Sequence, residues 1–171
     1  MVRETLLCFA LAASFISTGA ANANDLEQTA SASLKNTNRI SVGDVALRQM
    51  PHGVLLEARL NDLPPGIHAF HIHEVGECIP PFDSAGGHYA PAGASHGFMS
   101  EDGPHVGDMP NIHVPESGEL RIEIWHSRLA LNETLFDDDG ASIVIHEGPD
   151  DYATDPAGNA GPRIACGVIE E

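Results

Sequence analysis

Val54, Leu56, Ala58 and Leu60 alternate with Leu55, Glu57 and Arg59, the two-residue period of a strand with one buried face. Leu120, Ile122 and Ile124 alternate in the same way with Arg121, Glu123 and Trp125. Strand signals begin at Ile40, and shorter runs from about Ile67 to Glu74, Ser142 to His146 and Ile164 to Ile169 read as further strands. Asn61-Asp62-Leu63-Pro64-Pro65-Gly66 makes a turn. After Glu74 no periodic segment appears until about Ile112, and a stretch longer than about 12 to 15 residues without its own secondary structure is functional or disordered. A second irregular loop, rich in aspartate and glycine, follows His146. Few windows repeat apolar residues at helical spacing, and 17 glycines and 12 prolines are spread along the chain. The pattern predicts an all-β fold, an antiparallel sandwich or barrel with two long functional loops.

The start of the chain breaks this pattern. Arg3, an apolar run from Leu6 to Ile16, and small residues ending in Ala21-Asn22-Ala23 form a secretory signal over residues 1–23, with cleavage expected after Ala23. The apolar run is too short to span a membrane, and no later segment is long enough. Residues 24–39 are polar and poor in aromatics, which predicts a flexible lead-in. Residues 40–171 then form one domain.

Export changes the meaning of the cysteines. Of the three, Cys8 leaves with the signal, so Cys78 and Cys166 enter an oxidising compartment together and a disulfide is expected. Closing that loop removes roughly 4.6 kcal/mol of unfolded-state entropy in the simple chain model. The formal net charge of −17 argues against nucleic acid and against an anionic membrane surface as partners.

Chemistry concentrates in the histidines. His71 and His73 sit at i and i+2 on one strand, on one face and about 6.6 Å apart, so their imidazoles can converge on one ion. His68 has the opposite parity and is set aside as a ligand. The long loop adds Gly86-Gly87-His88, Ser95-His96-Gly97 and His105-Val106-Gly107-Asp108. Three nitrogens and one carboxylate oxygen suit four-coordinate zinc. His146, at the end of a later strand, could complete a set of imidazoles favoured by copper. Six histidines are one short of two independent sites if copper takes four and zinc three, and a histidine shared through both ring nitrogens resolves the count. Four of the ten histidines, His52, His68, His113 and His126, are left as surface or structural residues.

Gly66-Ile67-His68-Ala69-Phe70-His71-Ile72-His73-Glu74, with Gly76 and Cys78 after it, resembles the first signature of the copper, zinc superoxide dismutases. Gly158-Asn159-Ala160-Gly161-Pro162-Arg163-Ile164-Ala165-Cys166-Gly167 is similar to the second. The resemblance runs from about Ile40 to Ile169. It implies an eight-stranded Greek-key barrel and an enzyme that dismutates superoxide anion by alternating Cu(II) and Cu(I). It further implies copper on His71, His73, His88 and His146, and zinc on His88, His96, His105 and Asp108. His88 is then the bridge and the proton carrier, Arg163 the residue that attracts the anion, and Asp150 a carboxylate linking His71 to His96. Cys78 and Cys166 match the family's intrasubunit disulfide. Exported bacterial members occur as monomers and as dimers, so a homodimer is possible and a periplasmic or secreted location is expected. A non-enzymatic copper carrier on the same scaffold would be expected to lose a copper ligand, the bridge or the arginine, and a copper-only dismutase would lose zinc ligands; all are present here. One departure stands out. The loop from Glu147 to Pro162 has no lysine or arginine, where many members of that family carry lysines, and only seven of the eight basic residues remain once the signal is removed.

Overall fold

The computed structural model describes residues 28–171, so the export signal expected over residues 1–23 lies outside the described residues. In chain order the strands are β1 (Thr29–Asn36), β2 (Ser41–Met50), β3 (Gly53–Leu60), β4 (Gly66–His68), β5 (Phe70–His73), β6 (Ile112–Val114), β7 (Leu120–His126), β8 (Ser142–His146) and β9 (Arg163–Glu170). A single 3-10 turn, Asp83–Ala85, interrupts the long loop. Seven strands form one antiparallel sheet in the order β5-β8-β9-β1-β2-β3-β7, and β4 pairs with β6. The run read as one strand from Ile67 to Glu74 is broken at Ala69, whose N–H donates to Gly148 O at 2.8 Å and whose carbonyl accepts from His146 N at 3.0 Å. With β4 and β5 counted as one interrupted strand, the described strands number eight and the curled sheet is the expected Greek-key barrel.

Within the segment 24–39, expected to be a flexible lead-in, Thr29–Asn36 form a strand. β1 lies in the middle of the sheet, paired with β2 from Thr29↔Arg48 onward and with β9 from Ser31↔Glu170 to Asn36↔Ala165. Its period is two, with Ala30, Ala32 and Leu34 buried and Thr29, Ser31 and Ser33 exposed. Serine and alanine are weak strand formers, so the ladder on both sides, rather than propensity, makes this segment extended.

The barrel interior is filled by Leu34, Val45, Leu47, Leu56, Phe70, Ile72, Ile143 and Ile145. Burying each of the larger side chains contributes roughly 1.5–3 kcal/mol. Alternation on β5 and β8 fixes where the chemistry goes. Phe70, Ile72, Ile143 and Ile145 face inward, so His71, His73, Val144 and His146 share the outer face of the same wall, with His71 opposite Val144 in the register. The two long loops cover that face. A disulfide between Cys78 and Cys166, Cα atoms 5.6 Å apart, ties the first loop to β9 and packs with a small cluster of Phe82, Ala85 and Val144. Among the described residues no helix is long and apolar enough to cross a membrane.

Candidate metal centre

β5 delivers His71 and His73 to the outer face, and its free edge is met by the long loop through the bridges His71↔Asp108 and His73↔His88. His146 reaches the same place from the end of β8, where the register with β9 shifts between Ile145 and His146 and sets His146 opposite Arg163. Such a bulge bends the strand and re-aims the side chain that follows. Gly107 allows the loop to lie this close, because a Cβ there would overlap the Ile72 carbonyl.

Four buried ring nitrogens, His71 Nδ1, His73 Nε2, His88 Nε2 and His146 Nε2, have no hydrogen-bond partner. These four histidines form one group of converging donors. The other nitrogen of each ring faces an oxygen: His71 Nε2 to Asp150 Oδ2 at 2.9 Å, His73 Nδ1 to Gly86 O at 3.0 Å, His88 Nδ1 to Asp108 Oδ1 at 2.7 Å and His146 Nδ1 to Gly161 O at 3.1 Å. In a neutral ring the proton goes to the nitrogen that has an acceptor, so four lone pairs are left aimed at one another. Four buried lone pairs without a donor are costly unless a cation sits among them. An all-imidazole set of this kind suits copper.

A second group unites His88, His96, His105 and Asp108. Asp108 Oδ1 lies 2.7, 3.1 and 3.2 Å from the Nδ1 atoms of His88, His96 and His105. Ligands about 2.0 Å from a tetrahedral zinc stand about 3.3 Å apart along each edge, so these separations fit ligands around one ion. The remaining oxygen, Oδ2, accepts from Gly97 N at 2.9 Å and His105 N at 3.0 Å. His88 alone belongs to both groups, with Nδ1 in one and Nε2 in the other.

The electrostatics keep these donors in their binding forms. Burial lowers the pKa of His88 to about 4 despite its bond to Asp108, and burial with the neighbouring His71 lowers His146 to about 3. His73 is likewise held well below its ordinary value by burial, His88 and Arg163. Burial alone would raise both carboxyls. Hydrogen bonds from His88 and Gly97 N outweigh it at Asp108, and those from His71, His96 and Tyr152 N bring Asp150 to about 2.

Asp150 spans the two groups, since Oδ2 holds His71 and Oδ1 lies 3.0 Å from His96 Nε2. Gly158 makes room for it: φ is +62° there, and a Cβ would overlap Asp150 Oδ1 and approach His96 Nε2 to 2.8 Å. Arg163 is half-buried, with NH1 donating to Phe82 O and NH2 to Gly86 O, each at 2.7 Å. Gly86 O therefore orients both Arg163 and the His73 ring.

The histidines set aside also find places. His68 is buried, outside both groups, and its Nδ1 and Nε2 lie 2.9 Å from His146 O and 2.8 Å from Pro64 O. His126 is buried, its Nδ1 accepting from Arg128 N and Leu129 N, while His52 and His113 are exposed. Two supporting residues escaped the sequence reading. Arg128 NH2 donates to the carbonyls of Pro104 at 3.0 Å and His105 at 2.7 Å, and Asn111 grips the backbone of Asp150. Neither lies in a periodic run or beside a glycine pair, so no local signal marks them.

Known proteins resemble this chain in sequence and in fold. The sequence profile of the family described as copper/zinc superoxide dismutase matches residues 41–169. A Cu-Zn superoxide dismutase of Aquifex aeolicus is 46% identical over 165 residues, covering 93% of this chain and 95% of that protein. One from Caulobacter vibrioides is 42% identical, covering 83% and 86%. Among solved structures, a double mutant of a superoxide dismutase-like protein from Bacillus subtilis superposes with a TM-score of 0.79 at 36% identity, covering 82% of this chain and 97% of that one. The Cu/Zn superoxide dismutase of Brucella abortus gives 0.71 at 30% identity, covering 84% and 100%.

Proposed function

Because this chain belongs to the copper/zinc superoxide dismutase family, we propose that it converts superoxide to dioxygen and hydrogen peroxide at a histidine-bridged copper and zinc pair. Copper is assigned to His71, His73, His88 and His146, and zinc to His88, His96, His105 and Asp108. The observation that carries this reading is His88, whose two ring nitrogens face two different donor sets. Likeness of fold alone does not separate the enzyme from a carrier, since it extends to a protein described only as dismutase-like. The donor set does, because a carrier needs neither the bridge nor Arg163.

In the overall reaction one superoxide anion gives up an electron and leaves as dioxygen, and a second takes one electron and two protons and leaves as hydrogen peroxide. Copper, when bound, supplies the one-electron couple between these halves, and zinc, with no second accessible oxidation state, holds the bridge. Arg163 binds and orients the anion. Two of its five N–H groups are spent on Phe82 O and Gly86 O, which fixes the guanidinium and leaves the rest of the fork and the charge for substrate. His88 moves the proton: its Nε2 takes one up in the reduced half of the cycle and passes it to the departing peroxide, while Nδ1 stays beside Asp108. Asp150 keeps the rings of His71 and His96 in register with each other. The loops covering the outer face of β5 and β8 bury the donor rings, while Arg163 stays partly exposed.

Protein loaded with both metals is expected to destroy superoxide, followed by its ultraviolet absorbance after rapid mixing, and selective removal of copper to abolish the activity. Full copper loading without activity overturns the enzyme reading and leaves the carrier. The apolar run with its small-residue end supports export, with the periplasm as destination, and N-terminal sequencing of the mature protein should begin at Asn24.

A further inference from the structure

Asn111 follows Asp108 by three residues, in the short stretch that leads from the zinc-side donors into β6. Its side-chain amide makes two opposed bonds to one residue on the other loop: Oδ1 accepts from Asp150 N at 2.8 Å and Nδ2 donates to Asp150 O at 2.9 Å. Its own N–H donates to the Tyr152 hydroxyl at 2.9 Å. Tyr152 in turn sits in the left-handed region at φ 63°, which a non-glycine residue rarely adopts, and there its N–H reaches Asp150 Oδ1 at 2.6 Å. Three bonds thus fasten Asn111 to the segment Asp150 to Tyr152. Asp150 is buried, so its backbone N–H and C=O need partners, and a single amide side chain supplies both.

The geometry of Asp150 makes this grip consequential. Its two carboxylate oxygens are each committed to one ring, His71 on the copper side and His96 on the zinc side. A shift or rotation of the Asp150 backbone therefore cannot disturb one ring alone. Asn111 is fixed to the zinc-side loop by chain connectivity and to Asp150 by its amide, so the position of the carboxylate is set relative to the zinc donors rather than by its own irregular loop. We propose that Asn111 is a positioning residue that sets the orientation of one ligand ring at each metal simultaneously, through the backbone of Asp150. This rests on the metal assignment made above, and it adds a residue to the machinery that touches neither metal nor substrate.

The test compares Asn111→Ala with Asn36→Ala. Asn36 Oδ1 also accepts two backbone N–H bonds, from Asn38 and Ile40, but at the end of β1, and it belongs to neither donor group and bonds none of the donor residues. Each variant is titrated with zinc, and its Cu(II) electron paramagnetic resonance and the visible bands of Co(II) placed in the zinc position are recorded. Asn111→Ala should weaken zinc binding by about tenfold, the lower end for a partner of a metal ligand, and should change both the copper and the cobalt spectrum. Asn36→Ala should lower the melting temperature and leave both spectra and the affinity alone. Tyr152→Phe removes only the hydroxyl that receives the Asn111 N–H, and should move the same two signatures in the same direction by less. If Asn111→Ala does not fold, Tyr152→Phe decides alone. Unchanged spectra and zinc affinity in Asn111→Ala, or in Tyr152→Phe where that variant decides, overturn the proposal. Wild-type protein that takes up both metals normally yet does not consume superoxide overturns the enzyme reading instead and leaves this inference intact.

Discussion

His88 and His146 are buried where protonation is disfavoured, and their lowered pKa values of about 4 and about 3 make the metal-free protein sensitive to acid. In the unfolded chain a histidine takes up its proton near pH 6.5. Between that pH and the folded values the unfolded state binds more protons than the native state, so stability falls as pH falls through this window. Protonation of the native site below pH 3 to 4 ends the loss from these two residues. Asp108 and Asp150 are depressed in the native state, so their contribution, present above about pH 3.9, is lost as the pH drops further toward 2. Urea unfolding of metal-free protein should therefore show stability declining steadily from pH 7 to pH 4, with His88 alone accounting for about 3 kcal/mol. A flat profile across that range would mean that the rings are solvated once metal is removed. With both metals bound the same window should appear as metal release, because proton and metal compete for the same nitrogens.

At the scale of elements, the legibility of the chain follows side-chain size. β3, β7 and β8 could be read because Leu, Ile and Val alternate against charged residues or fill a run completely, and burial of such side chains dominates strand formation. β1 could not, because Thr-Ala-Ser-Ala-Ser carries the same period in residues too small to signal it. The donor residues were legible for a different reason: metal chemistry restricts them to histidine and aspartate, and the i, i+2 rule puts His71 and His73 on one face without any knowledge of the loops. What could not be read is the way the loops are held, by Asn111, by Arg128 and by the carbonyls of Gly86 and Gly161, since backbone acceptors and amide clips leave no pattern in the sequence. β1 makes a sharp test of its importance. Leu34 is fully buried at the centre of the sheet, so Leu34→Ala should cost about 2–5 kcal/mol. Chemical denaturation would register that loss, while zinc and copper content of the folded protein should not change, because no residue of β1 belongs to either donor group. A loss near zero would mean that β1 is as dispensable as the lead-in its composition suggests.

For the molecule as a whole the unresolved tension is between a net charge of −17 and an anionic substrate. The loop over the site is exposed at Glu147, Asp151 and Asp155 and contains no basic residue, and Glu74 and Asp83 are exposed beside the first loop. Arg163 is a cation that the fold sets against the copper-side rings, opposite His146 in the register and with an electrostatic effect on both His73 and His146, while Arg128 lies on the zinc side, bound to the His105 carbonyl. On the role proposed for Arg163, capture of superoxide has two opposed parts, a diffuse repulsion from many surface carboxylates and a short-range attraction to that half-buried guanidinium and the metals. Salt separates them, because at 0.1 M the Debye length is about 10 Å, which screens the distant carboxylates far more than a partly buried charge at the site. The second-order rate constant should accordingly rise, or at least hold level, as ionic strength goes from about 10 to about 100 mM, the reverse of an enzyme steered by a basic rim. Arg163→Ala should lower the rate constant by about tenfold or more at every ionic strength and leave the metal content unchanged. Rapid-mixing measurements over that salt range distinguish the cases: a steep fall with salt in the wild-type protein would require a long-range positive field that this distribution of charge does not provide.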